Sequence, residues 1–272
     1  MTARWQAIGF DPNVELNDYC VRDLSRVVGL GNYDPQHAGS SVRVFDLVFL
    51  HRVIAAKHFE LPDAPNVSHY LEQTVTITLD LLFGNWWSSD IDRKSGRCRK
   101  EMVNWYCAFS VGLLSAFLLG RWEDANRISE YSLQSLKRTY IGPFDEDFDL
   151  IYLLISGEIV GKFGFLPESE MLDLLLKSRN RRARDAVHAW RCFKDANVSG
   201  FTEAIKEFLK RHRSHCKKLL ADEYAGNSIE YGLAQPICTL VLLAESRGMP
   251  LGRISPRLSD YLVSRQSLGI EN

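Results

Sequence analysis

The run MVNWYCAFSVGLLSAFLLG, residues 102–120, carries no formal charge. A stretch of this length has two outlets, a membrane span or a helix buried on most of its sides. Asn104, Ser110, Gly112 and Ser115 interrupt the run, and Gly120-Arg121-Trp122-Glu123-Asp124 follows it as a turn. A central buried helix is the better reading. Such a helix needs amphipathic neighbours on several sides, and a chain of 272 residues with 46% hydrophobic and 25% charged residues can supply them.

The rest of the chain has the matching period. Val42, Phe45, Val48, Phe49, Val53 and Ala56 fall on one stripe at i, i+3, i+4 steps, with Arg52 the exception. Phe201, Ala204, Ile205, Phe208 and Leu209 repeat the pattern, with Lys206, Glu207, Lys210 and Arg211 opposite. Strand-like β-branching occurs at Thr74-Val75-Thr76-Ile77-Thr78. The apolar residues around it continue without turn residues, so this segment also reads as helix.

Turn residues then divide the chain into about ten helices. Asp11-Pro12-Asn13 opens the first and Gly29 to Gly31 closes it; Ser40 or Ser41 caps the second, and Ser68 precedes the third. The third stops near Trp86-Trp87, and a polar loop through Lys94-Ser95-Gly96 leads to the charge-free helix. Gly142-Pro143 ends the fifth, Gly161 to Gly164 the sixth, and Pro167 sits in the first turn of the seventh. Further helices are expected near 181–195, 200–219 and 229–247. The expected fold is all-α: an irregular array of about ten helices packed as antiparallel hairpins, one domain over 1–272 with a possible subdivision near 141–147. The hairpin SAFLLGRWEDANRIS resembles a tetratricopeptide unit, but no 34-residue period accompanies it.

The end of the chain is sharply punctuated. Leu240, Leu243, Ala244 and Arg247 close a helix, Gly248 can take the left-handed position beyond it, and Pro250 prevents continuation. Ser255 then caps a short helix with Pro256 at its first position, and Leu258 with Leu262 forms one buried face. This tail reads as a lid on the bundle.

Charge and motifs narrow the function. The formal net charge is −1, so no global field favours nucleic acid or an anionic membrane, and neither is an expected partner. The N-terminus lacks the apolar region of a secretory signal. Cys20, Cys98, Cys107, Cys192, Cys216 and Cys238 are scattered without C-x-x-C pairs and read as reduced, cytoplasmic thiols. No nucleophile elbow, Walker loop, dinucleotide fingerprint or H-E-x-x-H occurs, so no catalytic residue and no cofactor is assigned. His212-x-x-His215-Cys216 is the nearest approach to a metal site. It lacks a further ligand and is ringed by Lys210, Arg211, Arg213, Lys217 and Lys218, so it reads as a basic helix face and no metal is assigned. His51 and His58, two turns apart, read as core or surface histidines. Basic clusters at 93–100, 177–184 and 210–218 lack interleaved aromatics and read as exposed helix ends.

The acidic counterpart is GPFDEDFDLIY, where Phe144, Asp145, Glu146, Asp147, Phe148 and Asp149 follow Gly-Pro. Acids at a helix start complement the macrodipole, which accounts for Asp145 to Asp147. Four carboxylates beside two large aromatics also make a contact surface for a protein partner. Both readings stand at this point.

Four segments together resemble the all-α immunity proteins of bacterial polymorphic toxin systems, in particular the immunity protein 49 family. They are AVHAWRCFKDANVSGF, FLKRHRSHCKKLL, PICTLVLLAESRGMPL with its Ser-Pro-led tail, and the earlier LLGRWEDANRIS hairpin. The resemblance covers about half the chain and lies in packing and turn motifs. It implies a non-enzymatic cytoplasmic inhibitor that binds one cognate toxin protein, encoded next to it, and occludes its active site. Phe144 to Asp149 would lie among the contacts. The alternatives are a helical-repeat scaffold for a peptide or regulatory partner, and an α-helical enzyme using scattered acids or histidines.

Overall fold

The structure is a computed structural model, and it describes residues 40–61, 64, 66–83, 105–135, 146–220 and 232–270, with Arg4 and Gln6. Ten α-helices occur among the described residues: α1 (Ser40–His58), α2 (Ser68–Phe83), α3 (Trp105–Leu119), α4 (Trp122–Ser135), α5 (Glu146–Val160), α6 (Glu168–Lys177), α7 (Arg181–Lys194), α8 (Val198–Leu220), α9 (Ile237–Ser246) and α10 (Pro256–Ser259). A 3-10 turn, Gln266–Leu268, follows, and none of the described residues is in a strand. The expected all-α array is therefore present.

The charge-free run forms α3, in which residues 109–118 are all buried. No helix among the described residues is long and apolar enough to cross a membrane. One interruption of the run, Gly112, has a packing role. A Cβ on Gly112 would fall 2.4 Å from the Thr78 side chain, so the missing side chain is what lets α3 approach α2. The β-branched 74–78 segment is helical because its hydroxyls turn back on their own helix. Thr74 Oγ1 donates to the Tyr70 carbonyl at 2.7 Å and Thr76 Oγ1 to that of Glu72 at 3.0 Å.

Consecutive helices pack on one another from α1 through α8, as short connections require. The α3–α4 turn is the tightest. Gly120 takes φ +70°, Arg121 N–H returns to the Ala116 carbonyl at 2.8 Å, and the Arg121 guanidinium grips Asp124 in the first turn of α4. The odd-numbered helices α1, α3, α5 and α7 also touch in succession, forming a row. Against α3, α5 and α7 lies α9, whose residues 237–244 are all buried. A helix apolar on every side is stable only where it is covered on every side, and α9 occupies such a place.

The tail then joins the two ends of the array: α10 packs on α8, and the 3-10 turn packs on α1. Gly248 has φ +76°, Gly248 N–H bonds to Glu245 and Met249 N–H to Ala244, the six-to-one closure expected of a helix ended by glycine. Other expectations shift. The last long helix starts at Ile237 rather than near 229, because Pro236, at its N-cap, lacks the N–H that helical continuity needs. Pro167 is the N-cap of α6 and lies outside its first turn. Ser255 stands at the N-cap of α10, but its side chain makes no capping bond. Leu258 is buried while Leu262 is only half-buried; Tyr261, Val263 and Leu268 carry the rest of the tail's apolar contact. The helix expected between Asp11 and Gly31, the turns at 86–96 and 142–143, and Cys20 and Cys98 lie outside the described residues. Cys192, Cys216 and Cys238 are buried free thiols.

Candidate functional site

Of the acidic segment, Phe144 and Asp145 lie outside the described residues and Glu146 opens α5. Asp147, Phe148 and Asp149 follow in its first turn, all half-buried. They are not a free loop. Asp147 Oδ2 accepts the Ser178 hydroxyl at 2.7 Å, and the Arg182 guanidinium sits over the Phe148 ring at 5.1 Å. The acid-rich start of α5 is thereby docked on the α6–α7 connection.

That connection is built by short polar side chains. Ser178 ends α6; its Oγ accepts Asn180 N–H at 3.0 Å, and the Asn180 side chain accepts Arg182 N–H at 3.1 Å as the N-cap of α7. A continuous path of hydrogen bonds therefore runs from Asp147 through Ser178 and Asn180 to the backbone of Arg182.

From Arg182 the path continues inward. Arg182 Nη1 lies 3.4 Å from His212 Nδ1, and His212 Nε2 lies 3.2 Å from the Gly232 carbonyl. A guanidinium only donates and a carbonyl only accepts, so these partners assign the proton of His212 to Nε2. Burial, followed by the charge of Arg182, pushes the imidazole pKa down to about 3. The sulfur of Cys216 is 3.1 Å from the same Nε2, but burial pushes its thiol up to about 12. This pair is held as neutral imidazole and thiol, without the thiolate that nucleophilic chemistry requires.

The i, i+3 spacing of His212 and His215 does not make them converge. His212 turns into the core, while His215 turns to an open groove of about 720 Å³. No group of three or more His, Cys, Asp or Glu able to hold a metal occurs among the described residues. Arg181 and Arg182 from α7 and Lys210, Arg211 and Lys218 from α8 line the groove with His215. Among the described residues the only acid on its wall is Glu207, bonded to Lys210, while Arg211 Nε reaches Asp185 at 2.6 Å. Two basic clusters that read as separate solvated helix ends are thus neighbours across one groove, next to the acidic start of α5. The cluster at 93–100 lies outside the described residues.

Sequence reasoning missed the partners of the other two histidines. His51 meets the side chain of Gln235, which also takes a hydrogen bond from the Tyr152 hydroxyl at 3.3 Å. His58 bonds to Ser267 and Asp260 in the tail. Burial, the larger cause in each case, lowers both imidazoles to about 4. Nothing near Gln235, Asp260 or Ser267 in the sequence signals these contacts, because each spans more than 180 positions. No protein-family model, curated protein or solved structure matches this chain.

Proposed function

We propose that this protein is an immunity protein, which binds a cognate toxin in the cytoplasm and covers its active site or substrate entry. The observation that carries the reading is the fastening of Asp147 to Ser178 and of Phe148 beneath Arg182. An acidic and aromatic surface held on a helix start loses little conformational freedom on binding, so more of its contact energy appears as affinity. Its charge draws a positively lined toxin cleft toward it and raises the association rate. The resemblance of the helix and tail motifs to immunity protein 49 supplies the class of partner.

The scaffold alternative is less favoured by the packing. A peptide-gripping helical array uses the face along its row of alternate helices, and here α9 covers α3, α5 and α7 on that row.

The test is co-expression of this protein with the product of the adjacent gene, with toxicity and direct binding as readouts. Protection by the parent is expected, with Asp145→Lys plus Asp147→Lys giving weaker, less salt-sensitive binding and reduced protection while helicity is retained. Protection undiminished in the variant removes the α5 start from the interface. Absence of any toxin that pairs with the parent overturns the immunity reading.

A further inference from the structure

Apart from the contact of Arg182 with Phe148, the basic groove between α7 and α8 has no role in the reading above, and the local physics disfavours its charge. Asn180 caps α7, and the residues that follow are Arg181, Arg182 and, at the next turn, Arg184, with no acid in the first turn. Cations at a helix N-terminus face the positive end of the macrodipole, which disfavours them. Across the groove, α8 presents Lys210, Arg211, Ser214, His215 and Lys218, at i, i+1, i+4, i+5 and i+8 on one face. Among the described residues, five cations therefore surround one space, with Glu207 as the sole acid on its wall. Folding gains nothing from such crowding.

The cations are also aimed. Arg182 is held by the Phe148 ring and the His212 imidazole, Arg211 by Asp185, and Lys210 by Glu207. Among the described residues, neither Arg181 nor Lys218 is paired with an acid, and both are exposed at the groove. The Ser214 hydroxyl donates to the Lys210 carbonyl at 3.2 Å and is not a free donor, whereas His215 adds a ring whose pKa burial lowers, so at neutral pH it offers one N–H without further charge. Guanidinium forks and ammonium groups converging on about 720 Å³ match a compact anion with several oxygen-rich centres. The volume lies within the range of small-ligand sites.

We infer that this groove binds a small polyphosphate, a chain of two or three phosphates either free or carried on a nucleotide. Arg181 and Lys218 bind it directly, and Arg182 and Arg211 supply prepositioned forks. The site stands independently of any toxin partner, because its test needs none.

The test is calorimetric titration of the full-length protein with tripolyphosphate, ATP and adenosine at matched ionic strength. Tripolyphosphate is expected to bind and to raise the thermal midpoint. Arg181→Gln with Lys218→Gln is expected to weaken it by at least about tenfold, since each removes a charge-assisted contact. Ser214→Glu, which puts a carboxylate into the groove, is a second variant with the same expected loss. Lys206→Gln, at the Lys206–Glu203 pair outside the groove, is expected to bind like the parent. Equal affinity for tripolyphosphate and ATP identifies the phosphate chain as the ligand; tighter ATP binding with competition by adenosine identifies a nucleotide. Absence of binding by both, or an equal loss in Lys206→Gln, overturns the site. Binding of long oligonucleotides that tripolyphosphate fails to displace also overturns it, in favour of a nucleic-acid surface.

Discussion

His58 Nε2 lies 2.8 Å from the backbone carbonyl of Asp260, which is 202 positions further along the chain. A carbonyl only accepts, so Nε2 carries the proton, and Nδ1 is left to accept the Ser267 hydroxyl at 2.7 Å. One buried ring at the end of α1 thus holds two points of the C-terminal tail. The charged group that acts on it is Arg4, which donates to the His58 carbonyl at 3.1 Å and also pairs with Glu60 and Asp260.

The neutral state of this ring makes stability depend on pH. Burial lowers His58 to about 4, with the Asp260 carbonyl opposing and Arg4 reinforcing; His51 is lowered to about 4 and His212 to about 3. The unfolded chain binds these protons near pH 6.5, before the folded state does, so stability is full above that pH. It falls as pH drops from 6.5 towards 4, by roughly 3 kcal/mol for a fully buried His58. Asp185, Glu245 and Asp260 are raised by burial and oppose the trend only at its acidic end. Thermal midpoints should be flat between about pH 7 and 8 and decline steadily below 6.5. They should fall again in alkali, because burial holds Cys216 and Cys238 up to about 12 while unfolded thiols ionise at about pH 8.5. His58→Gln should lower the midpoint at pH 7.5 and make the decline shallower; an unchanged slope would refute the assignment.

Gly112 of α3 lies directly against the Thr78 side chain of α2. Gly112→Ala puts a Cβ at 2.4 Å from the threonine side chain and should destabilise by about 1–3 kcal/mol, as overpacking does. Thr78→Ala removes two of the three clashing atoms. Chemical denaturation of the two single variants and the double variant should give a loss in the double smaller than the sum. Additive losses would separate the two positions.

Gly248 tests backbone geometry without packing. No atom lies within 4 Å of a Cβ built there, while φ is +76°. Gly248→Ala should therefore cost about 1–2 kcal/mol through the left-handed conformation alone, with Val worse and Asn milder. Thermal midpoints ordered Gly, Asn, Ala, Val are the expected result, and a flat series would contradict it.

The tail's two leucines should separate. Leu258→Ala, at a buried position against α8, should cost about 2–5 kcal/mol, while Leu262→Ala, half-buried, should cost clearly less. Denaturation midpoints of the two variants settle the order, and equal losses would place Leu262 in the core.

Much of the helix plan was legible in the sequence. Turn glycines mark ends because only they take positive φ cheaply, as Gly120 and Gly248 do. Apolar period marks faces, as Phe201, Ala204, Ile205, Phe208 and Leu209 do, all of them buried. The apolar pattern before Pro236 resembles helix, yet the last long helix starts at Ile237, because the proline's missing N–H outweighs that pattern. Four-residue spacing puts Leu262 beside Leu258 on a buried face, but α10 ends at Ser259, before that spacing applies. The candidate surface was half legible. Acids at 145–149 can be read as a helix start; their docking on Ser178 and Arg182 cannot.

The sequence by itself determined local matters: where helices begin and end, and which helices are too apolar to face water. Those follow from backbone sterics, capping and hydration, which act over a few residues. The tertiary structure alone decided that α9 lies against α3, α5 and α7, and that His58 holds the tail. It also decided that the arginines of α7 and the cations of α8 face one groove. These are contacts between segments far apart in the chain, chosen by the shape complementarity of packed side chains, and shape complementarity leaves no local period in a sequence.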